Sequence, residues 1–223
     1  MNIVPVSIQT YDIFKIPVFV TDLSGLTDEL KIMELLDKEF SENKFKEYPP
    51  NKHFDEVPVN QWHTKQTHPN LHKQKKFEPF CRVVSDAVYK VVKYIMEYDE
   101  NYFVDITAMW GNRQSKGTFF RSHAHSNNVF SGVFYPNEAE DFPLITFERP
   151  FRNDIAPTVA KNNTYNGTTY RFPCKKDCLI VFPAWLEHNI PVNPSDEDRY
   201  SISFNVMLRG KFGLDGSNQS TLF

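Results

Sequence analysis

The chain has 223 residues, of which 40% are hydrophobic and 24% charged, and its formal net charge is -3 at pH 7. This length suits a single domain with a sizeable core, and 20 phenylalanines and 10 tyrosines argue against a disordered chain. The small negative charge gives no electrostatic reason for nucleic acid or membrane as a partner, so we expect neither. Three cysteines do not form a disulfide framework and no signal peptide is recognisable, so we expect a cytoplasmic location.

The first hundred residues predict one strand and two helices. Residues 11–20 (YDIFKIPVFV) predict a strand, and Thr27 is the expected N-cap of a first helix. Residues 41–72 are polar and proline-containing, which indicates a long irregular connection, and a second helix is expected at about 76–98. The apolar positions with helical spacing are Leu30, Met33, Leu36 and Phe40 in the first helix and Phe77, Phe80, Val84, Val88, Val91 and Ile95 in the second.

After residue 100 the sequence predicts about eight short strands with no helix between them, a pattern typical of a sandwich, jelly roll or barrel. The expected strands lie near 102–112, 117–121, 129–136, 143–148, 168–172, 178–182, 187–192 and 199–208. We expect the two helices to cover one face of this β unit. The predicted organisation is a single domain, 1–223, with supporting elements in 1–100, the β core in 101–209 and a loose tail in 210–223.

Three histidines in the β region form a candidate metal site. His123 and His125 are two residues apart and would point to the same side of an extended backbone. His188 directly follows an apolar strand, so two antiparallel strands can bring the three side chains together. Imidazole nitrogen binds iron, copper, nickel or zinc. The alternative is that these histidines are ordinary strand residues, exposed or hydrogen-bonded.

The last long strand presents Arg199, Ser201, Ser203 and Asn205 on one face. In a half-buried strand such a face contacts water. In a small barrel it lines the interior, where Arg199 and the Ser201 hydroxyl would form an anchor for a carboxylate.

The motifs MWGN, SHAHSNN, SGVFY, PAWLEHNIPVN and RYSISFN together resemble the iron(II)/2-oxoglutarate oxygenase superfamily, in particular an uncharacterised bacterial and viral branch with a His-x-His…His…Arg-x-Ser pattern. The resemblance implies a mainly β fold with α elements: a double-stranded β-helix (jelly roll, cupin-like) flanked by N-terminal helices. It also implies Fe(II), 2-oxoglutarate as cosubstrate and O2. Carried over residue by residue, His123 and His188 are metal ligands, Arg199 and Ser201 bind the far carboxylate of 2-oxoglutarate, and Asn112 and Tyr135 contact the cosubstrate.

One position departs from the general superfamily pattern. His125 stands where most members have a carboxylate, and the branch with His-x-His implies that it is the third ligand. The alternative is that another carboxylate, such as Glu148, completes the set.

The implied activity is a dioxygenase that hydroxylates an unactivated C–H bond and releases succinate and carbon dioxide. The substrate is open between a small molecule and a peptide or protein side chain. Two alternatives remain: a three-histidine cupin-type dioxygenase without 2-oxoglutarate, and a non-catalytic jelly-roll binding or structural protein. Four further histidines in 53–72 predict a solvated or substrate-facing loop, and nothing in the sequence indicates the oligomeric state. These histidines are His53, His63, His68 and His72.

Overall fold

In the computed structural model, the described residues form two facing antiparallel sheets with helices on the outside. The described residues are 8–42, 45–46, 65–99, 101–151, 155, 157–214 and 216–223. The strands are β1 Phe19–Asp22, β2 Phe45–Lys46, β3 Lys65–Thr67, β4 Phe103–Gln114, β5 Phe120–His123, β6 Phe130–Tyr135, β7 Ile145–Glu148, β8 Thr169–Phe172, β9 Cys178–Pro183, β10 His188–Ile190, β11 Arg199–Arg209, β12 Lys211–Phe212 and β13 Thr221–Leu222.

The large sheet has the strand order β1-β9-β6-β11-β4-β3-β2 and the small sheet the order β5-β10-β7-β8. All pairs between these strands are antiparallel. The predicted double-stranded β-helix is confirmed, and the eight strands predicted after residue 100 correspond to β4 to β11.

The helices cover the outer face of the large sheet, as predicted. They are α1 Leu26–Glu29, α2 Ile32–Ser41 and α3 Glu78–Lys90, the last continued by a π-helical turn at Val91–Ile95 and preceded by 3-10 turns at Leu71–Lys73 and Lys75–Phe77. One apolar cluster joins helices to sheet, and its members include Leu36, Phe80, Phe134, Ile202 and Phe204. A second cluster lies between the two sheets. β6 and β9 are buried at every position because both of their faces are covered.

The N-terminal predictions need two corrections. The strand expected at 11–20 is shorter and later, at Phe19–Asp22, because Phe14 has a φ of 59° that interrupts an extended backbone. Thr27 is not an N-cap but lies inside α1, which begins after Gly25. The cap comes instead from a distant residue, since the Asp177 carboxylate accepts hydrogen bonds from the backbone N–H groups of Gly25 (2.8 Å) and Thr27 (2.9 Å) and from the Thr27 hydroxyl.

Two further corrections concern a helix end and the C-terminus. Ile95 was expected in the apolar stripe but is 61% exposed, because the π-helical turn changes the angular spacing of the side chains. The last residues are not a loose tail. β12 pairs with β13, and Phe212 packs against Tyr102 and Phe223 with ring centroids 4.8 and 5.1 Å away. Within the described parts of the chain, every helix is too short or too polar to cross a membrane.

Candidate metal and cosubstrate site

Three histidines converge at one end of the small sheet. His188 on β10 lies opposite His123 on β5 in the antiparallel pairing, and their ring centroids are 4.5 Å apart. His125 follows the end of β5, and its backbone N–H donates to the Ala184 carbonyl at 2.8 Å. One ligand atom from each of the three lies within 4.8 Å of the others, so a single metal ion can be held between them.

Backbone carbonyls set the orientation of two of these rings. Nδ1 of His123 is 2.7 Å from the Arg121 carbonyl oxygen, and Nδ1 of His188 is 3.0 Å from that of Leu186. Because a carbonyl oxygen only accepts, we assign the proton to Nδ1 in both rings. Each Nε2 then keeps its lone pair for a metal, which is the usual arrangement around ligating histidines.

His125 is held by side chains instead. Its ring stacks on Trp110 with centroids 5.9 Å apart and 22° between the planes. The Asn205 side chain, whose Oδ1 accepts from the Ser131 hydroxyl at 2.9 Å, lies nearby. The third histidine therefore has a fixed position although it lies beyond the regular strand.

Burial keeps two of the rings neutral. Loss of hydration lowers the pKa of His188 to about 3 and that of His125 to about 4, and repulsion from His123 acts in the same direction. A neutral imidazole has the free lone pair that a metal requires, so the pocket favours the ligating form of both.

The alternative ligand Glu148 lies elsewhere. In the β7–β10 pairing Phe147 is opposite His188, so the neighbouring Glu148 side chain projects from the other face of β7. There its Oε1 accepts a hydrogen bond from Asn189 Nδ2 at 3.0 Å. Among the described residues, the three histidines are the one group of His, Cys, Asp or Glu with metal-binding spacing.

A buried cation lies deeper in the same cavity. The Arg199 side chain is 1% exposed, its Nη1 donates to Gln114 Oε1 at 3.2 Å, and its guanidinium carbon lies 4.7 Å from the ring centroid of Tyr135. Arg199 Nε and Nη2 and the Tyr135 hydroxyl are buried without a hydrogen-bond partner among the described residues. A buried guanidinium with two unpaired nitrogens is costly, so this end of the cavity fits an anionic ligand.

An amide network beside Arg199 orients Ser201. Asn112 Nδ2 donates to Ser201 Oγ at 3.1 Å and to Ser203 Oγ at 3.0 Å, while its Oδ1 accepts from Gln66 Nε2 at 2.9 Å. The Ser201 hydroxyl therefore keeps its own proton to donate into the cavity. Asn112 faces the cavity as predicted, with its hydrogen-bonding groups engaged by neighbours.

One cavity between the sheets connects the histidines to Arg199. Its lining residues are Gln66, Trp110, Asn112, Phe120, His123, His125, Ser131, Gly132, Val133, Ile145, Phe182, His188, Ile190, Arg199, Ser201 and Ser203. The predicted residues Asn112, Arg199 and Ser201 are thus brought together with the three histidines. Tyr135 is fully buried beside Arg199, with its ring centroid 4.7 Å from the guanidinium carbon.

The chain matches known oxygenases in sequence and fold. Residues 108–205 match the model of a family described as 2OG-Fe(II) oxygenase, 2OG being 2-oxoglutarate. This match extends from within β4 to within β11 and so covers most of the β core. A search of curated protein sequences gave no significant match.

Solved structures of 2OG-Fe(II) oxygenases share the fold. A prolyl-4-hydroxylase from Pseudomonas putida is 11% identical, with a TM-score of 0.59 over 86% of this chain and 93% of that one. The epimerase SnoN from nogalamycin biosynthesis, with Fe3+, α-ketoglutarate and nogalamycin RO, is 10% identical, with a TM-score of 0.60 over 93% and 89%. HygX from Streptomyces hygroscopicus, with nickel and 2-oxoglutarate, is 10% identical, with a TM-score of 0.55 over 86% and 83%.

The cofactors of this oxygenase superfamily are Fe(II), 2-oxoglutarate and O2, and the residues of the cavity fit them. Neutral imidazoles suit iron(II), and the unpaired nitrogens of Arg199 suit the far carboxylate of 2-oxoglutarate. The enzyme is an oxidoreductase.

Several site residues were missed by sequence reasoning. Gln114 and Trp110 lie on the same face of β4 as Asn112, but the predicted strand ended at 112 and so left Gln114 out. Gln66 is in the segment that was predicted to be irregular. Of the predicted histidine loop, His68 is exposed and His72 half-buried, both apart from the metal cluster, and His53 and His63 lie outside the described residues.

Proposed function

We propose that this oxygenase is an Fe(II)- and 2-oxoglutarate-dependent dioxygenase that hydroxylates an unactivated C–H bond and releases succinate and carbon dioxide. The observation that carries the proposal is the buried Arg199, whose Nε and Nη2 are unpaired in the same cavity as three convergent histidines. A metal site alone needs no such cation, whereas a 2-oxo dicarboxylate needs both.

Different residues of the cavity bind the metal and the cosubstrate. His123, His125 and His188 hold the metal, and Arg199 with the Ser201 hydroxyl binds the far carboxylate of the cosubstrate. The Tyr135 hydroxyl is a further unpaired donor beside Arg199. When bound, iron and 2-oxoglutarate together supply the oxidising chemistry with O2.

A neutral third ligand is compatible with this assignment. His125 in place of a carboxylate leaves the bound metal with one more positive charge, and the dianionic cosubstrate offsets it. Trp110 and Phe182 line the wall near the histidines, and their apolar surfaces limit the water that reaches the reacting centre.

The first alternative, a three-histidine cupin-type dioxygenase, accounts for the histidines but leaves Arg199 Nε and Nη2 without an anionic partner. A non-catalytic jelly-roll protein leaves both unexplained. The substrate is a small molecule or a peptide or protein side chain that reaches the cavity past the exposed His123.

An anaerobic titration of the apoprotein with Fe(II) and 2-oxoglutarate tests the proposal. We expect a visible charge-transfer band that requires both additions, and succinate formation once oxygen is admitted. Iron binding without a response to 2-oxoglutarate would favour the cupin-type enzyme. Failure to bind iron would favour the non-catalytic protein.

A further inference from the structure

Gln114 is a buried amide with every hydrogen-bonding group engaged. The residue is fully buried at the end of β4. Its Nε2 donates to the carbonyl oxygens of Thr118 at 2.9 Å and Pro191 at 3.0 Å, and its Oε1 accepts from Arg199 Nη1 at 3.2 Å. Since two carbonyls fix the NH2 end, the amide oxygen must face the guanidinium.

The backbone around this amide is also tied down. Gln114 is the register partner of Arg199 in the β4–β11 pairing, and its own carbonyl accepts from Asn193 Nδ2 at 2.9 Å. Asn193 is fully buried in the loop between β10 and β11. The β4–β5 loop, through Thr118, and the β10–β11 loop, through Pro191 and Asn193, therefore hold Gln114, and Gln114 holds one nitrogen of Arg199.

This arrangement fixes how far the guanidinium reaches into the cavity. Arg199 has a long side chain with several rotamers, and the Tyr135 ring and the Cys174 thiol also lie beside it. A neutral amide oxygen accepts one N–H without cancelling the positive charge, which stays available to a ligand carboxylate. A carboxylate in the same place would neutralise Arg199 and repel the two carbonyls.

We propose that Gln114 is a positioning residue that fixes Arg199 and so selects the chain length of the 2-oxo dicarboxylate used as cosubstrate. The inference rests on the proposed function, because it assumes that Arg199 binds the carboxylate farthest from the metal. A rigid anchor favours the five-carbon 2-oxoglutarate over the six-carbon 2-oxoadipate, and a loosened anchor discriminates less.

The test uses the full chain loaded with Ni(II), which binds ligands without turnover, and calorimetric titration with three ligands. 2-Oxoglutarate and 2-oxoadipate have a second carboxylate that can bind Arg199. Pyruvate has none, so its affinity measures binding at the metal alone. The variant Gln114→Met keeps the side-chain length and removes the hydrogen bonds. Gln219→Met, at an exposed position, is the matched control.

We expect Gln114→Met to weaken 2-oxoglutarate binding about tenfold or more. The ratio of the affinities for 2-oxoglutarate and 2-oxoadipate should become smaller, and the affinity for pyruvate should stay unchanged. Equal losses for 2-oxoglutarate and pyruvate would overturn the proposal in favour of a purely structural role. Unchanged 2-oxoglutarate affinity would overturn it as well.

A second variant is used if circular dichroism shows that the Gln114→Met protein does not fold. Gln114→Asn keeps an amide but is one methylene shorter, so its oxygen no longer reaches Arg199, and 2-oxoglutarate binding should weaken while pyruvate binding again stays constant. 2-Oxoglutarate affinity equal to the wild type in this variant would overturn the proposal. Failure of the proposed function is recognised separately, because the wild-type protein would then bind 2-oxoglutarate no better than pyruvate.

Discussion

His188 and His123 lie opposite each other across β10 and β5, and each Nδ1 contacts the carbonyl of the residue two positions earlier. Both rings thus present Nε2 to the same point. We expect His188→Ala to weaken Co(II) binding at least about 100-fold, since even indirect partners of a ligand contribute 10- to 100-fold. Absorbance titration measures this, with His68→Ala, outside the cluster, as the control. Unchanged affinity in His188→Ala would exclude it as a ligand.

His125→Asp should bind metal where His125→Ala binds it poorly. Aspartate at this position creates the two-histidine, one-carboxylate set that iron(II) oxygenases commonly use. The comparison of the two variants by Fe(II) titration under anaerobic conditions decides whether position 125 ligates. If alanine bound iron as tightly as histidine, the metal site would consist of His123 and His188 with other donors.

Arg199→Lys should weaken 2-oxoglutarate binding by roughly 10- to 100-fold while Ni(II) affinity stays constant. Lysine keeps the charge but cannot form the paired hydrogen bonds of a guanidinium, and bonds to charged groups contribute about 1.5–3 kcal/mol each. Calorimetry on the Ni(II) protein measures both constants. Wild-type 2-oxoglutarate affinity in this variant would contradict the assignment of the anchor.

The metal-free protein should lose stability as the pH falls from about 6.5 towards 4. The pKa of His188 is lowered to about 3 and that of His125 to about 4, so below the ordinary histidine pKa the unfolded chain binds protons that the folded chain does not. Each such histidine contributes a slope of up to about 1.4 kcal/mol per pH unit. Urea denaturation with EDTA at several pH values measures the slope. His188→Gln should show a smaller one, and an equal slope in that variant would contradict the prediction.

Gly132→Ala should destabilise the fold by about 1–3 kcal/mol, the usual range for added atoms in a packed core. A Cβ at position 132 would lie 2.2 Å from the Phe204 ring and 2.8 Å from the Ile180 carbonyl oxygen. Thermal and urea unfolding test this, with Thr221→Ala at an exposed strand position expected to change stability by less than about 0.5 kcal/mol. A shift no larger than that of the control would show that Phe204 can move aside.

The β region could be predicted closely because its strands are short, apolar and separated by turn residues. The site residues His123, Arg199 and Ser201 could be predicted because side chains alternate between the two faces of a strand. The predictions that were wrong concern features that depend on contacts between residues distant in sequence or on an irregular helix. The cap of α1 comes from Asp177, about 150 positions away, and the outward turn of Ile95 comes from a π-helical irregularity that no spacing rule announces.

The position of Gln114 shows a related limit. Its role depends on the carbonyls of Thr118 and Pro191, and these meet only when the loops at this end of the sheets are folded. The local sequence around Gln114 does not predict these contacts. The same holds for His125, whose ring stacks on Trp110 because the chain turns after β5.

β11 belongs to both halves of the molecule. Arg199, Ser201 and Ser203 face the cavity, while Ile202 and Phe204 face the helices. A slip of one residue in its pairing would place the anchor in the apolar core and the core residues in the site. A one-residue insertion or deletion early in this strand should therefore abolish folding and ligand binding together.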